Sequence, residues 1–314
     1  RCIAKVVDAY KLDRKTQRSF KPSGGVAYDN RLLRYDLAAN TIYIWTMAGR
    51  LTISFVGGQR QLEQLKSQKG ESDLLYLRGK FYLEATCDVK EAKPVEVEDV
   101  LGVDLGIKNI AYDSDGQRYC GAHLNNLRRR RRRQRKKIQK VGTKSARRKL
   151  KKMSGQERRH ATNVNHVISK QIVKKAKDTN RAIAMEDLTG IRSRVRLRKS
   201  QRDDLHSWAF YQLNQFMAYK AQRKGVPKLA IDPRWSSQEC AVCGYIDQAN
   251  RKTQSEFLCR KCGNADHADD NAASVLRNRG RVYVNTPIVS DANWVYACPF
   301  VAPGTSLRLL AVGS

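Results

Sequence analysis

The sequence predicts an α/β protein with a β-rich N-terminal part, a mixed core of strands and helices, and a small metal-binding insert. Three observations carry this prediction. Short alternating strands with glycine turns fill the chain up to Val89. Strand and helix patterns then alternate from Val100 to Ile231. Finally, two Cys-x-x-Cys pairs stand fifteen residues apart, a spacing typical of zinc sites.

Length and charge narrow the classes of function. The chain has 314 residues, enough for two or three modest domains. Its net charge is +31, from 61 Lys and Arg against 30 Asp and Glu. Because such an excess repels itself unless a polyanion is bound, we expect a nucleic-acid partner. A ribosomal or chromatin-type protein that only coats nucleic acid is the alternative. No run of eighteen apolar residues occurs, so no membrane partner is expected.

The N-terminal part begins with a short helical segment and continues as strands. Period-two alternation predicts strands at Thr41–Thr46, Leu51–Phe55, Leu74–Leu77 and Phe81–Val89. Turns at Ala48-Gly49 and Arg78-Gly79 join them into hairpins. Several short antiparallel strands of this kind indicate a small barrel or curled sheet. The acidic residues 96–99 mark its end.

The core is predicted from the order of its elements. Its strands are Val100–Leu105, Ile110–Tyr112, Arg118–Cys120, Ala182–Met185 and Leu229–Ile231. Helical segments cover 125–176 and Ser207–Lys224, the second built on Trp208, Tyr211, Leu213 and Phe216. Three antiparallel strands followed by helix, strand, helix and strand is the element order of an RNase H-like α/β layer.

The insert is predicted from four cysteines, Cys240, Cys243, Cys259 and Cys262. The pattern Cys-x2-Cys-x15-Cys-x2-Cys suits one tetrahedral Zn2+ bound by four thiolates. A glycine follows each pair, at 244 and 263, and permits the positive φ of a tight turn. Because four thiolates leave no position for water, we expect one structural zinc ion. Two unrelated redox Cys-x-x-Cys pairs are the alternative.

Three acidic residues stand at the ends of predicted elements. Asp104 ends the first core strand, Glu186 ends the fourth, and Asp269 opens a terminal helix over Asn271–Asn278. The two strands should lie side by side and run parallel, so their ends bring both carboxylates to one edge. Hard oxygen donors suit Mg2+ or Mn2+. Two such ions would activate a water and stabilise the leaving oxygen of a cleaved phosphodiester.

Each of these acids could also have a purely structural role. Asp104 could simply end a strand, Glu186 could be solvated, and Asp269 could be only an N-cap. Asp187 and Asp270 are close enough in sequence to take the roles of Glu186 and Asp269. The placement of all three acids at the ends of elements favours one shared metal site over three separate structural roles.

A dense basic segment precedes the fourth core strand. Sixteen of the twenty-five residues from Arg128 to Lys152 are Lys or Arg, and no acid occurs between Gly116 and Gln156. Such density disfavours a bare helix, and phosphates would relieve the repulsion. A solvated, disordered segment is the alternative. The predicted nucleic-acid contacts are Arg128, Arg129, Arg130, Arg131, Arg132, Arg133, Arg135, Lys136, Lys137, Arg147, Arg148, Arg192 and Arg194.

Taken together, the motifs resemble the TnpB (OrfB) family, transposon-encoded relatives of the type V CRISPR effectors. The motifs are Gly102-Val-Asp104-Leu-Gly-Ile107, Met185-Glu186-Asp-Leu188, Ser236-Ser-Gln238, Cys240-x-x-Cys243-Gly244, Cys259-x-x-Cys262-Gly263 and Asp269-x-Asn271-Ala-Ala273. The resemblance implies an RNA-guided DNA endonuclease with a RuvC-like core, a guide RNA and a DNA target as partners. It assigns Asp104, Glu186 and Asp269 as catalytic acids that bind Mg2+ or Mn2+, and prefers Asp269 over Asp270.

The resemblance also implies a division of the chain. A β-barrel wedge domain is expected over 1–98, the first part of the core over 99–235, and a zinc ribbon over 236–265. The last core helix is expected over 266–280, followed by an irregular tail over 281–314. The start of the wedge barrel and a helical recognition lobe would lie before Arg1. A monomer in a prokaryotic cytoplasm, associated with nucleic acid, is expected.

Three other functions compete with a guided nuclease. The first is a nuclease-inactive, RNA-guided DNA-binding protein, although a complete acid set argues against it. The second is a transposase that joins strands, although the sequence has neither the tyrosine nor the His-hydrophobic-His site of a single-strand transposase. The third is a structural zinc-ribbon protein that binds nucleic acid and needs no acidic edge.

Overall fold

The computed structural model describes residues 2–19, 21, 23–77, 79–106, 109–187, 210–285 and 305–311. These residues fall into two compact units, one drawn from Arg1–Lys90 and Phe300–Ser314, the other from Glu91–Pro299. The division thus lies at residues 90 and 91, whereas the sequence places it at 98 and 99. Over the described ranges, we find no helix with the length and apolar character needed to cross a bilayer.

The first unit contains an antiparallel sheet of seven strands. In spatial order they are β1 (Val26–Tyr28), β5 (Gln68–Leu77), β6 (Lys80–Cys87), β14 (Thr305–Ala311), β4 (Gly49–Val56), β3 (Thr41–Thr46) and β2 (Leu33–Asp36). Its two described helices are α1 (Cys2–Leu12) and α2 (Gln59–Leu65). Buried residues alternate along β3 and β6 as predicted, and the core is built on residues such as Ile42, Ile44, Phe55 and Leu83.

Two predictions for the ends of the chain are wrong. Within the described residues the sheet is open rather than a closed barrel, because β1 and β2 each pair on one side only. The tail over 281–314 is not irregular throughout. Arg281 to Asn285 continue the last helix, and Thr305–Ala311 forms a strand between β4 and β6. That strand forms through pairing with β4 and β6, and its local sequence does not reveal these partners.

The second unit contains a mixed sheet of five strands. In spatial order they are β11 (Lys228–Ile231), β10 (Arg181–Glu186), β7 (Asp99–Asp104), β8 (Asn109–Asp113) and β9 (Arg118–Cys120). The strands β7, β8 and β9 are antiparallel neighbours. The predicted parallel pairing of β7 with β10 is confirmed, and β10 pairs in parallel with β11. A short hairpin of β12 (Glu256–Leu258) and β13 (Ala265–His267) lies in the insert.

Five described helices belong to the second unit. They are α3 (Ala122–Val141), α4 (Lys144–Met153), α5 (Gln156–Asp178), α6 (Phe210–Lys224) and α7 (Ala268–Asn285). The helical segment predicted over 125–176 is interrupted at Gly142 and Gly155, whose φ values are +68° and +80°. Backbone in this left-handed region ends a regular helix, so one predicted segment becomes three helices. The predicted start of α6 at Ser207 lies outside the described residues.

Helices pack on the five-stranded sheet through two separate hydrophobic clusters. Leu101 and Ile183 contact the cluster that holds residues of α5 and α6, among them Ile172 and Met217. Val100, adjacent to Leu101, instead packs in the cluster with Leu276 of α7. Because successive side chains of a strand point to opposite faces, α7 lies on the other face of the sheet. Of the residues predicted to form the apolar face of α6, Leu213 is fully buried, whereas Tyr211 is 63% exposed.

Gly102 allows α7 to lie close against β7. A Cβ atom at this position would stand 2.0 Å from the carbonyl oxygen of Ala273 and 2.6 Å from the backbone nitrogen of Arg277. We expect Gly102→Ala to lower the free energy of unfolding by about 3 kcal/mol, because backbone must move to admit the methyl group. Chemical denaturation measures the change.

Gly58→Ala is the matched control. Its backbone is extended, with a φ of −67°, and the added Cβ would meet the Gln61 side-chain oxygen at an ordinary 3.4 Å. We expect a change within about 1 kcal/mol for this variant. Equal denaturation midpoints for the two variants would contradict the close packing of α7 on β7.

Candidate functional site

A polar cavity of about 600 Å³ opens at the carboxyl ends of β7 and β10. Asp104 is the last residue of β7, Glu186 is the last residue of β10, and Asp269 lies in the first turn of α7. All three line this cavity. The parallel pairing of the strands brings the first two together, and the packing of α7 on β7 brings the third.

The carboxylates repel one another in a partly buried site. Burial, with the negative charges of Glu186 and Asp269, raises the pKa of Asp104 to about 8. Burial also raises the pKa of Glu186, although a hydrogen bond from Ser236 opposes the rise. In the protein alone, the ionised form of Asp104 is therefore disfavoured. A bound divalent cation would supply the missing counter-charge, and oxygen donors of this kind fit Mg2+ or Mn2+.

Two polar side chains hold the carboxylates in place. The Ser236 hydroxyl donates a hydrogen bond of 2.5 Å to Oε1 of Glu186. The side-chain amide of Asn109 donates to Oδ2 of Asp269 over 3.4 Å. Ser236 follows β11 and Asn109 begins β8, so residues from four parts of the chain define the site.

Ser236→Ala is expected to raise the pKa of Glu186 further, because the hydroxyl stabilises the ionised carboxylate. A hydrogen bond to a charged group is worth about 1.5–3 kcal/mol. Titration followed by carboxyl 13C NMR measures the effect. Ser237→Ala is the control, since Ser237 also lines the cavity and the bond to Glu186 comes from Ser236. A Glu186 titration unchanged by Ser236→Ala would contradict the role of this hydroxyl.

Two arginines line the same cavity, and no sequence motif pointed to either. Arg251 lies between the two cysteine pairs. Its positive charge opposes the rise in the pKa of both Asp104 and Glu186. Arg118 is anchored by its Nε, which donates to the Tyr112 hydroxyl at 2.9 Å. Their guanidinium groups place positive charge on the wall of an acidic site. Such a pairing suits a phosphodiester that approaches carboxylate-bound cations.

The two acids considered as substitutes lie outside the cavity lining. Asp187 is exposed, and its backbone nitrogen donates to the carbonyl oxygen of Ile231 at 2.8 Å. Asp270 accepts a hydrogen bond from Tyr112, whose pKa is raised by burial and by this bond. The structure thus brings together Asp104, Glu186 and Asp269 rather than their sequence neighbours.

The four cysteines Cys240, Cys243, Cys259 and Cys262 form a second site. Their sulfur atoms all lie within 4.8 Å of one another. The Sγ atoms of Cys240 and Cys262 are 3.7 Å apart, and those of Cys243 and Cys259 are 3.6 Å apart. A tetrahedron with zinc–sulfur bonds of about 2.3 Å has edges of about 3.8 Å. The cluster could therefore hold zinc.

The two turns that carry the cysteines are built alike. Gly244 and Gly263 have φ values of +70° and +73°, as predicted. Their backbone nitrogens donate to the carbonyl oxygens of Cys240 and Cys259, at 2.8 and 3.0 Å. In the second turn the backbone N–H of Cys262 donates to Sγ of Cys259, and this bond is the largest of several that lower the pKa of Cys259. The resulting thiolate is the form that binds a metal.

Asn271 joins the cysteine cluster to the helix that carries Asp269. This fully buried side chain accepts a 2.9 Å hydrogen bond from the backbone nitrogen of Ala241. Its amide donates to the carbonyl oxygen of Glu239 at 2.7 Å. The first cysteine turn and the first turn of α7 are therefore tied together, so the insert and the carboxylate site share a support.

The basic segment lies on α3 and α4. Most of its predicted contact residues are exposed or half-buried, but Arg128 is buried, with its Nε 3.8 Å from Glu157. Arg135 also pairs with Glu157, at 3.0 Å. Arg128 therefore helps to join α3 to α5, which the sequence pattern alone could not distinguish from surface arginines. Arg192 and Arg194 lie outside the described residues.

Parts of the chain are similar to known proteins. Residues 210–276 match the family model described as Cas12f1-like, TNB domain. The chain is 33% identical over 217 residues to the CRISPR-associated endodeoxyribonuclease Cas12f1 of Sulfoacidibacillus thermotolerans, covering 62% of this chain and 49% of that protein. It is 34% identical over 185 residues to a TnpB-like protein of Methanocaldococcus jannaschii, covering 55% and 66%. The chain is a relative of the TnpB and Cas12f proteins.

This TnpB relative spans about half the length of the Cas12f1 protein that it matches. Among solved structures, a cryo-EM structure of a Cas12f1–sgRNA–target DNA complex aligns with 83% of this chain and 69% of that chain. The TM-score of that alignment is 0.46, and the sequence identity is 15%.

Proposed function

We propose that this TnpB relative is an RNA-guided DNA endonuclease that hydrolyses phosphodiesters with divalent metal ions. One observation carries the proposal: Asp104, Glu186 and Asp269, far apart in sequence, line one cavity. The relationship to a protein named an endodeoxyribonuclease supports the same activity. A DNA target and a guide RNA are the proposed partners, and the chain is proposed to act as a monomer.

In this proposal each part of the fold has a role. The five-stranded sheet with its helices is a RuvC-like nuclease core, and the residues around β12 and β13 form a zinc ribbon that contacts target nucleic acid. The seven-stranded sheet is the wedge domain that binds guide RNA and a short flanking DNA motif. The exposed arginines and lysines of α3 and α4 bind phosphates, and their affinity for nucleic acid should fall steeply with salt.

The three carboxylates would hold one or two Mg2+ or Mn2+ ions. When bound, such ions activate water for attack on phosphorus and stabilise the leaving oxygen. Ser236 orients the Glu186 carboxylate and favours its ionised form. Arg118 and Arg251 supply charge for the nonbridging oxygens of the phosphodiester. The site thus combines acids that hold cations with guanidinium groups that hold the substrate.

The zinc ribbon has a supporting role in this proposal. Four thiolates complete a tetrahedral site and leave no position for a reacting water, so one zinc ion would be structural. Through Asn271 the ribbon braces the first turn of α7, where Asp269 stands. Arg251 lies within the same insert and reaches the cavity wall. Folding of the ribbon around zinc is therefore a condition for assembling the carboxylate site.

The proposal is tested with RNA that co-purifies with the protein. Sequencing this RNA identifies candidate guides, and a DNA target matched to them is then incubated with and without Mg2+. We expect cleavage only with the matched target and the metal. Binding of RNA and matched DNA without cleavage under any metal condition would instead favour a nuclease-inactive DNA-binding protein.

A further inference from the structure

Trp235 combines two features that are unusual for a tryptophan. Its φ is +64°, in the left-handed region that bulky residues rarely adopt. Its side chain is also 57% exposed, so much of the indole gains no free energy from burial. A strained backbone under an exposed tryptophan points to a function outside folding.

The backbone conformation at Trp235 serves the carboxylate site. The Trp235 carbonyl oxygen accepts hydrogen bonds from the backbone nitrogens of Gln238 and Glu239, at 2.8 and 2.9 Å. This turn leads from β11 into the first cysteine turn and sets Ser236 beside Glu186. Glycine or asparagine would form the same turn with less strain. The turn therefore requires the positive φ but does not require an indole.

Trp235 lies next in the chain to a residue of the cavity wall, on a fixed support. Pro233 and Ser236, on either side of it in sequence, line the cavity, whereas Trp235 does not. The guanidinium of Arg279 donates to the carbonyl oxygens of Asp232 and Arg234, at 2.7 and 2.9 Å. It also pairs with the Glu239 carboxylate. The segment that carries Trp235 is clamped at both ends, so the indole is presented from a rigid loop.

The chemistry of this segment fits an unpaired nucleobase. A phosphodiester held between the carboxylates and the guanidinium groups of Arg118 and Arg251 would leave its neighbouring bases outside the cavity. An exposed aromatic ring stacks on any base, without regard to sequence. Bases within a duplex are already stacked on both faces and do not offer a free face. The feature therefore suits a single strand.

We propose that Trp235 stacks on an unpaired base of the DNA strand whose phosphate occupies the cavity, and thereby positions that strand. The proposal rests on the proposed nuclease function and adds a residue that positions the substrate strand. Trp235 is a positioning residue here, because it touches a base beside the reacting phosphate and takes no part in bond breaking.

The test compares binding of a labelled single-stranded oligodeoxynucleotide by wild type, Trp235→Gly and Trp235→Phe. Ca2+ replaces Mg2+ so that the oligonucleotide stays intact, and affinity is measured over a range of salt concentrations. We expect Trp235→Gly to bind about tenfold more weakly, as for the loss of one stacked base. The factor should be the same at every salt concentration, because an indole neutralises no phosphate. Trp235→Phe should keep most of the affinity.

Several controls separate stacking from damage to the fold. Trp235→Gly should unfold at no lower denaturant concentration than wild type, because glycine relieves the strained φ. Binding of the matching duplex should be unchanged in this variant. Tyr211→Ala removes another exposed aromatic of the same unit, away from the cavity lining, and should leave single-strand binding unchanged.

Two results would overturn the stacking proposal. The first is wild-type affinity of Trp235→Gly for the single strand. The second is an equal loss for single strand and duplex. Failure of the nuclease proposal would appear elsewhere, as absence of metal-dependent cleavage by wild type with guide and matched target. The binding assay uses neither guide nor cleavage, so the two failures are distinguishable.

Discussion

Asp104→Asn is expected to abolish metal-dependent DNA cleavage while leaving binding of DNA and RNA nearly unchanged. Asn keeps the shape of the side chain but removes one negative charge and one strong oxygen donor from the cavity shared with Glu186 and Asp269. Loss of one member of a catalytic set commonly reduces the rate by about a thousandfold or more. Cleavage of a guide-matched target, followed over time in Mg2+, measures the effect.

The control for this variant is Asp187→Asn, which changes an exposed acid next to Glu186 that does not line the cavity. It should cleave as wild type does. Asp104→Asn should also remain folded. Because burial and neighbouring charges raise the pKa of Asp104 to about 8, wild type without divalent ions loses stability as pH rises from the unfolded pKa, about 4, toward 8. The free energy of unfolding of Asp104→Asn should fall less than that of wild type over the same pH range. Persistent cleavage by Asp104→Asn would refute the assignment.

Cys240→Ser is expected to release zinc and to unfold the insert. Three thiolates and a hydroxyl bind zinc far more weakly than four thiolates, and small zinc modules depend on the ion for folding. The loss should spread to the carboxylate site, because Asn271 links the first cysteine turn to α7. We therefore expect both zinc content and cleavage to fall to near zero. Elemental analysis of the purified protein gives the zinc content per chain.

Cys120→Ser is the matched control, because Cys120 is an exposed free cysteine outside the cluster. It should retain one zinc ion per chain. Limited proteolysis distinguishes unfolding of the insert from general unfolding, since cuts should concentrate between β11 and α7 in the Cys240→Ser protein. A full equivalent of zinc in that variant would contradict the four-thiolate site.

Local sequence patterns predicted those parts of the site that depend on element order and spacing. The order of the core strands and helices, with Asp104 and Glu186 at the ends of two strands, predicted that both acids share an edge. The pairing of β7 with β10 confirms that these strands are parallel neighbours. The spacing of the cysteines likewise predicted a tetrahedral cluster, because two residues between cysteines make one turn.

Other features depend on contacts between distant segments and could not be predicted. Arg251 reaches the cavity only because the insert folds back toward β7 and β10. Arg128 is buried and pairs with Glu157 of α5, although the next two arginines of the same basic run are exposed. The strand β14 follows a segment without a clear pattern and forms through pairing with β6. In each case the structural position depends on a contact with a segment distant in sequence.

The central claim is that Asp104, Glu186 and Asp269 bind divalent cations in one cavity. Crystals of the wild-type protein grown with Mn2+ test it most directly through anomalous difference density. We predict Mn2+ in contact with oxygen atoms of all three carboxylates. Mn2+ bound elsewhere with an empty cavity, or the three side chains directed to different parts of the surface, would contradict the claim.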